Sequence, residues 1–180
     1  MTRFLELELV AAGKANEEAK LKSCILGEIS VNAKDDGDGD TSVFHLCCAG
    51  GFAECVDALV DAGCSVTSKN SDGKTGRDLA AEHKEVLDVL AQAMITAATT
   101  GSAERVTEFL DIGVPVDSVC GESGRTALMQ AANGGHDALL EKLLEREAAI
   151  ATANESDGMT AFLYACSMKK QGCVQKLIDA

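Results

Sequence analysis

The sequence has few aromatic residues and almost no proline. Aromatic side chains make up 3% of the 180 residues, with no Trp and one Tyr, and Pro occurs once. Because large rings are scarce, the core must be packed from Ala, Leu and Val, which favours closely packed helices. Gly is plentiful, with 17 residues that recur at regular offsets. We therefore expect helices separated by glycine turns rather than by proline.

Basic residues are also scarce. Lys and Arg total 16 against 29 Asp and Glu, which gives a formal net charge of −13. A phosphate backbone requires a basic face to displace its counterions, so nucleic acid is not expected as a partner. The acidic charge favours protein partners of basic character by long-range attraction, although an acidic surface also serves solubility alone.

Long apolar runs are absent. The N-terminal segment interrupts its apolar residues with Glu6 and Glu8, and no apolar run of membrane-spanning length, about 18 residues, occurs in the chain. We therefore expect neither a signal peptide nor a membrane-spanning segment. The expected location is the cytoplasm or the nucleus, and the expected state is a monomer.

Eight cysteines occur without the spacing of a metal site. They include no C-x-x-C pair, and no His is spaced to complete a zinc site. Several lie where the repeat described below has Ala or Val, so we interpret them as small buried side chains in a reducing compartment. Redox sensing is the alternative, although the neighbours Cys47 and Cys48 would make a poor disulfide pair.

The chain repeats itself with a period of about 33 residues. A hydroxyl residue opens each similar stretch, and the intervals between these openings are 33, 51 and 34 residues. A pair of small residues follows each opening. The openings and their pairs are Ser42 with Cys47-Cys48, Thr75 with Ala80-Ala81, Thr126 with Ala131-Ala132, and Thr160 with Ala165-Cys166.

Two stretches carry the pattern most completely. Residues 124–136 read G-R-T-A-L-M-Q-A-A-N-G-G-H, and residues 44–51 read F-H-L-C-C-A-G-G before a second apolar segment at 55–66. They resemble the ankyrin repeat pattern G-x-T-P-L-H-x-A-A-x-x-G-H, and the resemblance extends over nearly the whole chain. It implies an all-α, ankyrin-type solenoid of about five or six stacked helix-turn-helix repeats with short β-hairpin fingers.

Local physical chemistry explains the pattern. Ser or Thr at an opening position caps the first helix of a repeat, and Gly51, Gly101 and Gly135 let the backbone reverse into the second helix. The second helices carry apolar stripes that no single repeat buries alone, so neighbouring repeats must stack. These stripes are Val56, Leu59 and Val60; Val106, Phe109 and Leu110; Leu139, Leu140, Leu143 and Leu144; and Val174, Leu177 and Ile178.

We treat residues 1–180 as a single repeat domain. The third repeat is shortened, and after Leu90 the next helix is expected to begin by Met94, so the finger between them is predicted to be absent. Such a gap either weakens stacking or forms a distinct pocket. The last repeat ends at Ala180 without a polar closing helix, so we expect the natural protein to continue. The expected units are 4–36, 37–70, 71–92, 93–122, 123–155 and 156–180.

No motif in the sequence indicates catalysis or a cofactor. Phosphate-binding loops, nucleophile elbows and zinc-protease helices are absent from the sequence, so we expect no enzyme, no cofactor and no metal. His45, His83 and His136 are expected to form local hydrogen bonds. The alternating Asp36, Asp38 and Asp40 have the spacing of a calcium loop, but no Glu follows at the required distance. We interpret that segment as a solvated acidic finger tip.

The resemblance implies a protein-protein interaction module that holds a partner on its concave side, formed by finger tips and first helices. The alternatives are an N-terminal targeting or autoinhibitory arm of a larger enzyme, channel or ubiquitin-pathway protein, and a self-associating assembly unit. Arg125, Met159 and Met168 are the preferred anchors, because Met and Arg are enriched at interfaces. Tyr164 is a weaker candidate because its ring also suits the core. The candidate binding residues are Asp38, Thr41, Lys69, Asp72, Lys74, Thr99, Thr100, Glu122, Arg125, Asn133, Asp157, Met159 and Met168.

Overall fold

A computed structural model of the protein describes residues 2–26, 30–35, 40–119 and 124–180, and of residues 2–5 the backbone alone. These residues form eleven α-helices and, instead of strands, two isolated antiparallel β-bridges, Lys34 with Ser42 and Ala153 with Thr160. The helices are α1 Thr2–Lys14, α2 Glu18–Leu26, α3 Val43–Gly50, α4 Ala53–Asp61, α5 Gly76–Leu79, α6 Lys84–Thr99, α7 Ala103–Asp111, α8 Ala127–Gly134, α9 Asp137–Glu145, α10 Ala161–Ser167 and α11 Gln171–Asp179.

The chain divides into two compact units, Met1–Leu90 and Ala91–Ala180. In the first unit, α1 packs against α2 and α3, α3 packs against α4 and α5, and α2 packs against α4. In the second unit, α8 packs against α9 and α10, while α11 packs against α9 and α10, and α7 packs against α9. Within each unit, first helices therefore lie beside first helices and second helices beside second helices. This is the arrangement that stacked helix-turn-helix repeats require.

Hydroxyl residues occupy the four N-cap positions that the register predicts, and three of them cap through the side chain, whereas the hydroxyl of Ser42, at α3, lies 2.8 Å from His45 Nδ1. Thr75, Thr126 and Thr160 are the N-cap residues of α5, α8 and α10, and each accepts the backbone N–H three residues later at 3.3–3.4 Å. Each contact satisfies an amide that has no partner inside its helix. Gly51 and Gly135 end α3 and α8 with φ of 72° and 80°, the left-handed conformation predicted for these turns.

The third repeat differs from its expected plan at α6. Residues Lys84–Thr99 form one helix of 16 residues, so the predicted new helix start by Met94 is wrong. The predicted absence of a finger after Leu90 is confirmed, because these residues are helical. The segment contains neither Gly nor Pro, and Leu90 and Met94, four residues apart, are both fully buried. Continuous helix is thus favoured both by propensity and by an apolar face.

Small side chains form much of the core, as the composition predicts. Among the cysteines, Cys47, Cys48, Cys55, Cys64 and Cys173 are 0% exposed, and Cys24 is buried. Burial raises the pKa of the Cys47 and Cys48 thiols well above the ordinary value, which leaves them protonated. The interpretation as a buried side chain is wrong for Cys166, which is exposed on α10, and Cys120 lies outside the described residues.

The apolar stripes are buried on α4 and mostly buried on α7 and α9, where Leu110 and Leu144 are partly exposed, but only partly buried on α11. Leu177 is 7% exposed, whereas Ile178 is 63% exposed, so the predicted buried stripe is wrong for Ile178. Among the described helices, those that pack most against α11 are α9 and α10. An apolar residue at a stripe position is therefore buried only where a neighbouring helix packs against that side of its own helix.

Candidate functional site

The finger that precedes α10 is organised by two side chains. Asn154 Oδ1 accepts the Ser156 N–H at 2.9 Å, and Asp157 Oδ1 accepts the Met159 N–H at 2.9 Å. The Asn154 N–H donates to the Met159 carbonyl at 2.9 Å, and Gly158 has φ of 69°. These bonds hold a tight turn whose left-handed position suits glycine.

Tyr164 of α10 joins this finger to the helix. Its ring is 3% exposed, its hydroxyl donates to Asp157 Oδ2 at 2.6 Å, and it accepts from Asn154 Nδ2 at 2.8 Å. The hydrogen bond from Tyr164, together with that from the Met159 N–H, holds the pKa of Asp157 below its ordinary value. Asp157 is thus an ionised acceptor with both oxygens engaged inside the finger.

Arg125 stacks on the ring of Tyr164. The Arg125 Cζ atom lies 4.4 Å from the ring centroid, which is a cation–π distance. The Nε atom of Arg125 is buried and has no hydrogen-bond partner. Within the described part of the chain, no carboxylate oxygen lies within 4.0 Å of a guanidinium nitrogen of Arg125. Of the described residues, the one that positions the guanidinium is therefore the aromatic Tyr164 and not a carboxylate.

Helix α10 presents apolar side chains on its exposed surface. Leu163 and Met168 are 46% and 50% exposed, and Met159 in the adjoining finger is partly exposed. Met168 follows Tyr164 by one helical turn, and its N–H donates to the Tyr164 carbonyl at 3.0 Å. The structure thus brings three predicted residues, Arg125, Asp157 and Met159, to the finger and ring of Tyr164, with Met168 one turn further along α10.

Charge is unevenly distributed among the helices of the second unit. The first helices α8 and α10 contain no Asp, Glu, Lys or Arg. The second helices α7 and α9 each contain three carboxylates and one cation. These residues are Glu104, Arg105, Glu108 and Asp111 in α7, and Asp137, Glu141, Lys142 and Glu145 in α9.

A similar finger occurs in the first unit at 70–74. Asn70 Oδ1 accepts the N–H groups of Asp72 and Lys74 at 3.1 and 2.9 Å. Lys69, Asp72 and Lys74 are exposed, as predicted for a finger tip. Sequence reasoning missed the structural role of Asn70 and of Asn154. A signal was present, because N-S-D-G-K-T at 70–75 and N-E-S-D-G-M-T at 154–160 both place Asn shortly before S-D-G.

One predicted binding residue is not accessible. Thr41 is 7% exposed, so its assignment to an exposed binding surface is wrong. It lies at the base of its finger, where its carbonyl accepts the Asp35 N–H at 2.8 Å just before α3. Two other predicted residues, Asp38 and Glu122, and the segment interpreted as an acidic finger tip at 36–39, lie outside the described residues.

The remaining predicted residues lie on or beside first helices. Thr99 and Thr100 are exposed at the end of α6, and Asn133 is partly exposed on α8. The hydroxyls of Thr99 and Thr100 donate to backbone carbonyls of α6 at 3.0 Å. Their side chains therefore already have partners, and they are available to a second molecule mainly as acceptors.

The three histidines bond to the backbone, as predicted. His45 Nδ1 accepts the Ser42 N–H at 3.2 Å, and its Nε2 lies 3.0 Å from the Ser68 carbonyl. Nε2 of His136 lies 3.0 Å from the Thr99 carbonyl, and His83 makes the equivalent contact at 3.1 Å to a carbonyl of α3. Among the described residues, no cluster of three His, Cys, Asp or Glu has the arrangement of a metal site.

Comparison with known proteins agrees with this architecture. Residues 94–180 match the family model of ankyrin repeats in three copies. The chain is 28% identical over 174 residues to the ankyrin repeat and KH domain-containing protein mask-1 of Caenorhabditis elegans; the match covers 87% of this chain and 6% of that protein. Of the helices in the described ranges, none combines the length and apolar composition needed to cross a membrane. Residues 94–180 belong to the ankyrin repeat family.

Proposed function

We propose that the protein binds a partner protein or peptide through the fingers and first helices of its repeats. Ankyrin repeats generally serve as protein-interaction modules. The observation that carries the proposal is the surface of α10 in the second unit, where Leu163 is 46% exposed on a helix without charged residues and Met168, directly after that helix, is 50% exposed. Exposed apolar side chains favour association with another molecule.

The proposed contact residues are those predicted from the sequence, without the buried Thr41. Asp38 and Glu122 stay predictions. The others form two sets, Lys69, Asp72 and Lys74 in the first unit, and Thr99, Thr100, Arg125, Asn133, Asp157, Met159 and Met168 in the second.

A partner of basic character stays a prediction that rests on the net charge of −13. In the second unit, six carboxylates lie on α7 and α9, whereas α8 and α10 have none. We therefore assign the acidic charge to long-range attraction, which raises association rates at low salt, rather than to contact at α10. We expect the interaction in the cytoplasm or the nucleus.

The proposal is tested by one substitution on α10 and a matched control on α11. Met168→Asp places a carboxylate on the proposed surface, and Ile178→Asp makes an equivalent change at a side chain that is 63% exposed on a second helix. Affinity capture from host lysate, followed by photo-crosslinking from position 168, should identify a partner that Met168→Asp loses and Ile178→Asp retains. Loss with both variants, or retention by both, would contradict binding at this surface.

A second candidate function is that of a targeting or autoinhibitory arm within a larger protein. It is favoured by the exposure of Ile178 on α11 and by the size of mask-1, of which this chain matches 6%. The intact mass of the native protein distinguishes the two functions. A mass near 18.7 kDa would contradict the second candidate, and a much larger mass would support it.

A further inference from the structure

We propose that Arg125 is the receptor for a carboxylate of an acidic partner peptide. The peptide would place apolar side chains on Leu163 and Met168 beside that contact. This proposal rests on the proposed function, because it names the chemistry of the partner that the finger and α10 of the second unit recognise. The acidic residue belongs to the segment that contacts Arg125, whereas the basic character predicted from the net charge belongs to the partner as a whole.

Arg125 is held ready for an anion. Its guanidinium carbon lies 4.4 Å from the centroid of the Tyr164 ring. That ring is fixed in turn, because its hydroxyl bonds to Asp157 Oδ2 at 2.6 Å and to Asn154 Nδ2 at 2.8 Å. A cation whose position is already set loses little conformational freedom when a ligand binds. The planar guanidinium also matches the two oxygens of a carboxylate.

Among the residues that the structure describes, none forms an ion pair with Arg125 at contact distance. Asp157 accepts hydrogen bonds from Tyr164 and the Met159 N–H, which are the main causes of its lowered pKa, and Arg125 adds a smaller Coulombic contribution. No oxygen of Asp157 is within 4.0 Å of an Arg125 nitrogen, so the two groups attract each other without forming an ion pair. The helix that follows Arg125, α8, and the helix that carries Tyr164, α10, contain no charged residue. An acidic side chain approaching along these helices therefore meets a cation and no helical carboxylate.

The contrast with Arg105 shows why position 125 is distinctive. Arg105 also stacks on an aromatic ring, with its Cζ atom 5.0 Å from the Phe109 centroid, but its Nη1 atom forms an ion pair with Glu108 at 2.7 Å. Arg105 thus already has an anionic partner on α7. Arg105 is a matched control, because it has the same charge as Arg125 and also stacks on a ring. Unlike Arg125, it forms a described ion pair.

A carboxylate fits this site better than a phosphate group. Recognition of phosphorylated motifs relies on clusters of Arg around a dianion. Here a single arginine stands before α8, and α8 and α10 supply no second cation. One guanidinium matches one carboxylate in charge and in geometry.

The test compares three pools of short fluorescein-labelled peptides on the immobilised 180-residue protein. All pools carry Leu at two fixed positions and differ at a central residue, which is Glu, Gln or Lys. We expect wild type to retain the Glu pool roughly tenfold better than the Gln pool, and the Lys pool least, because a charge-assisted bond to Arg125 is lost with Gln. Arg125→Gln should abolish this ratio, whereas Arg105→Gln should preserve it.

Two further variants guard against loss of folding. Arg125→Lys keeps the charge but loses the planar guanidinium, and Tyr164→Phe keeps the ring but removes the hydroxyl that bonds to Asp157. Each variant should partially reduce the ratio of Glu-pool to Gln-pool retention. The far-ultraviolet circular dichroism of both should stay native. Equal retention of the Glu and Gln pools by wild type, or a Glu preference that survives Arg125→Gln, would overturn the proposal. If a Gln or Lys pool is instead retained and then lost with Met168→Asp, the proposed function stands without the acidic partner. If Met168→Asp changes the retention of no pool, both proposals fail.

Discussion

The ring of His45 should make the stability of the first unit depend on pH. His45 is 0% exposed; its Nδ1 accepts the Ser42 N–H at 3.2 Å and lies 2.8 Å from Ser42 Oγ, while its Nε2 lies 3.0 Å from the Ser68 carbonyl. These contacts require a neutral ring with its proton on Nε2. Burial, with a smaller contribution from Lys34, lowers the pKa of His45 below the ordinary 6.5, although backbone hydrogen bonds from Nε2 oppose this shift.

The sign of the effect follows from proton binding. In the window between the folded pKa and 6.5, the unfolded chain binds more protons than the folded protein, so the free energy of unfolding rises with pH. The contribution of His45 is therefore complete above pH 6.5 and is lost as the pH falls through the folded pKa. For a single group the slope reaches at most about 1.4 kcal/mol per pH unit.

Urea unfolding near pH 7.5, 6.5 and 5.5 measures this slope. His45→Gln retains a side chain suited to a capping box with Ser42 and loses the titratable ring, so its slope should be smaller than that of wild type. The variant should also lose about 1 kcal/mol near pH 7.5, since the bond to Ser68 is removed. His83→Gln is the control for loss of any histidine. If wild type and His45→Gln have the same slope, the reasoning is refuted.

Three further outcomes are expected. Gly101→Ala should destabilise by about 2 kcal/mol or more, because φ is 74° and a Cβ would clash with His136 Nδ1. Gly63→Ala, where φ is 80° and no atom lies within 4 Å of the new Cβ, should lose only about 1 kcal/mol, and equal losses would refute the ring contact. Lys169→Gly should raise the free energy of unfolding by about 1 kcal/mol, because Lys169 has φ of 56°; unchanged thermal stability would argue against strain there. Cys166→Ser should remove one rapidly reacting equivalent in a thiol titration of the native protein, since Cys166 is exposed; an unchanged rapid phase would show that this thiol is protected.

The parts of the fold that depend on neighbouring residues in the chain could be predicted from the sequence. Thr126 caps α8 because its side chain reaches an amide three residues later, and Gly135 ends that helix because glycine adopts a φ of 80° without strain. The continuity of α6 was missed, although the lack of Gly and Pro at 84–99 permits one continuous helix. Leu90 and Met94 suit either one helix or two, and the choice depends on what packs around them.

The candidate site depends on contacts between residues that are distant in the sequence. The pattern identified Arg125 and Asp157 separately, but the ring that joins them belongs to Tyr164, which was ranked low because it suits the core. The ring is in fact buried, at 3% exposed, and it also orients Arg125 at 4.4 Å. A residue that packs in a core can therefore determine a binding surface by fixing its neighbours, and composition contains no signal for this.

Net charge and local charge describe different stages of binding. The total of −13 acts over about a Debye length and favours the approach of basic molecules. At contact distance only the nearest groups matter, and beside the uncharged helices α8 and α10 the group held for contact is the cation Arg125. A partner that satisfies both conditions is basic overall and carries one carboxylate beside apolar side chains. Added salt should then slow its association more than it speeds its dissociation, because screening weakens long-range attraction more than a partly buried contact.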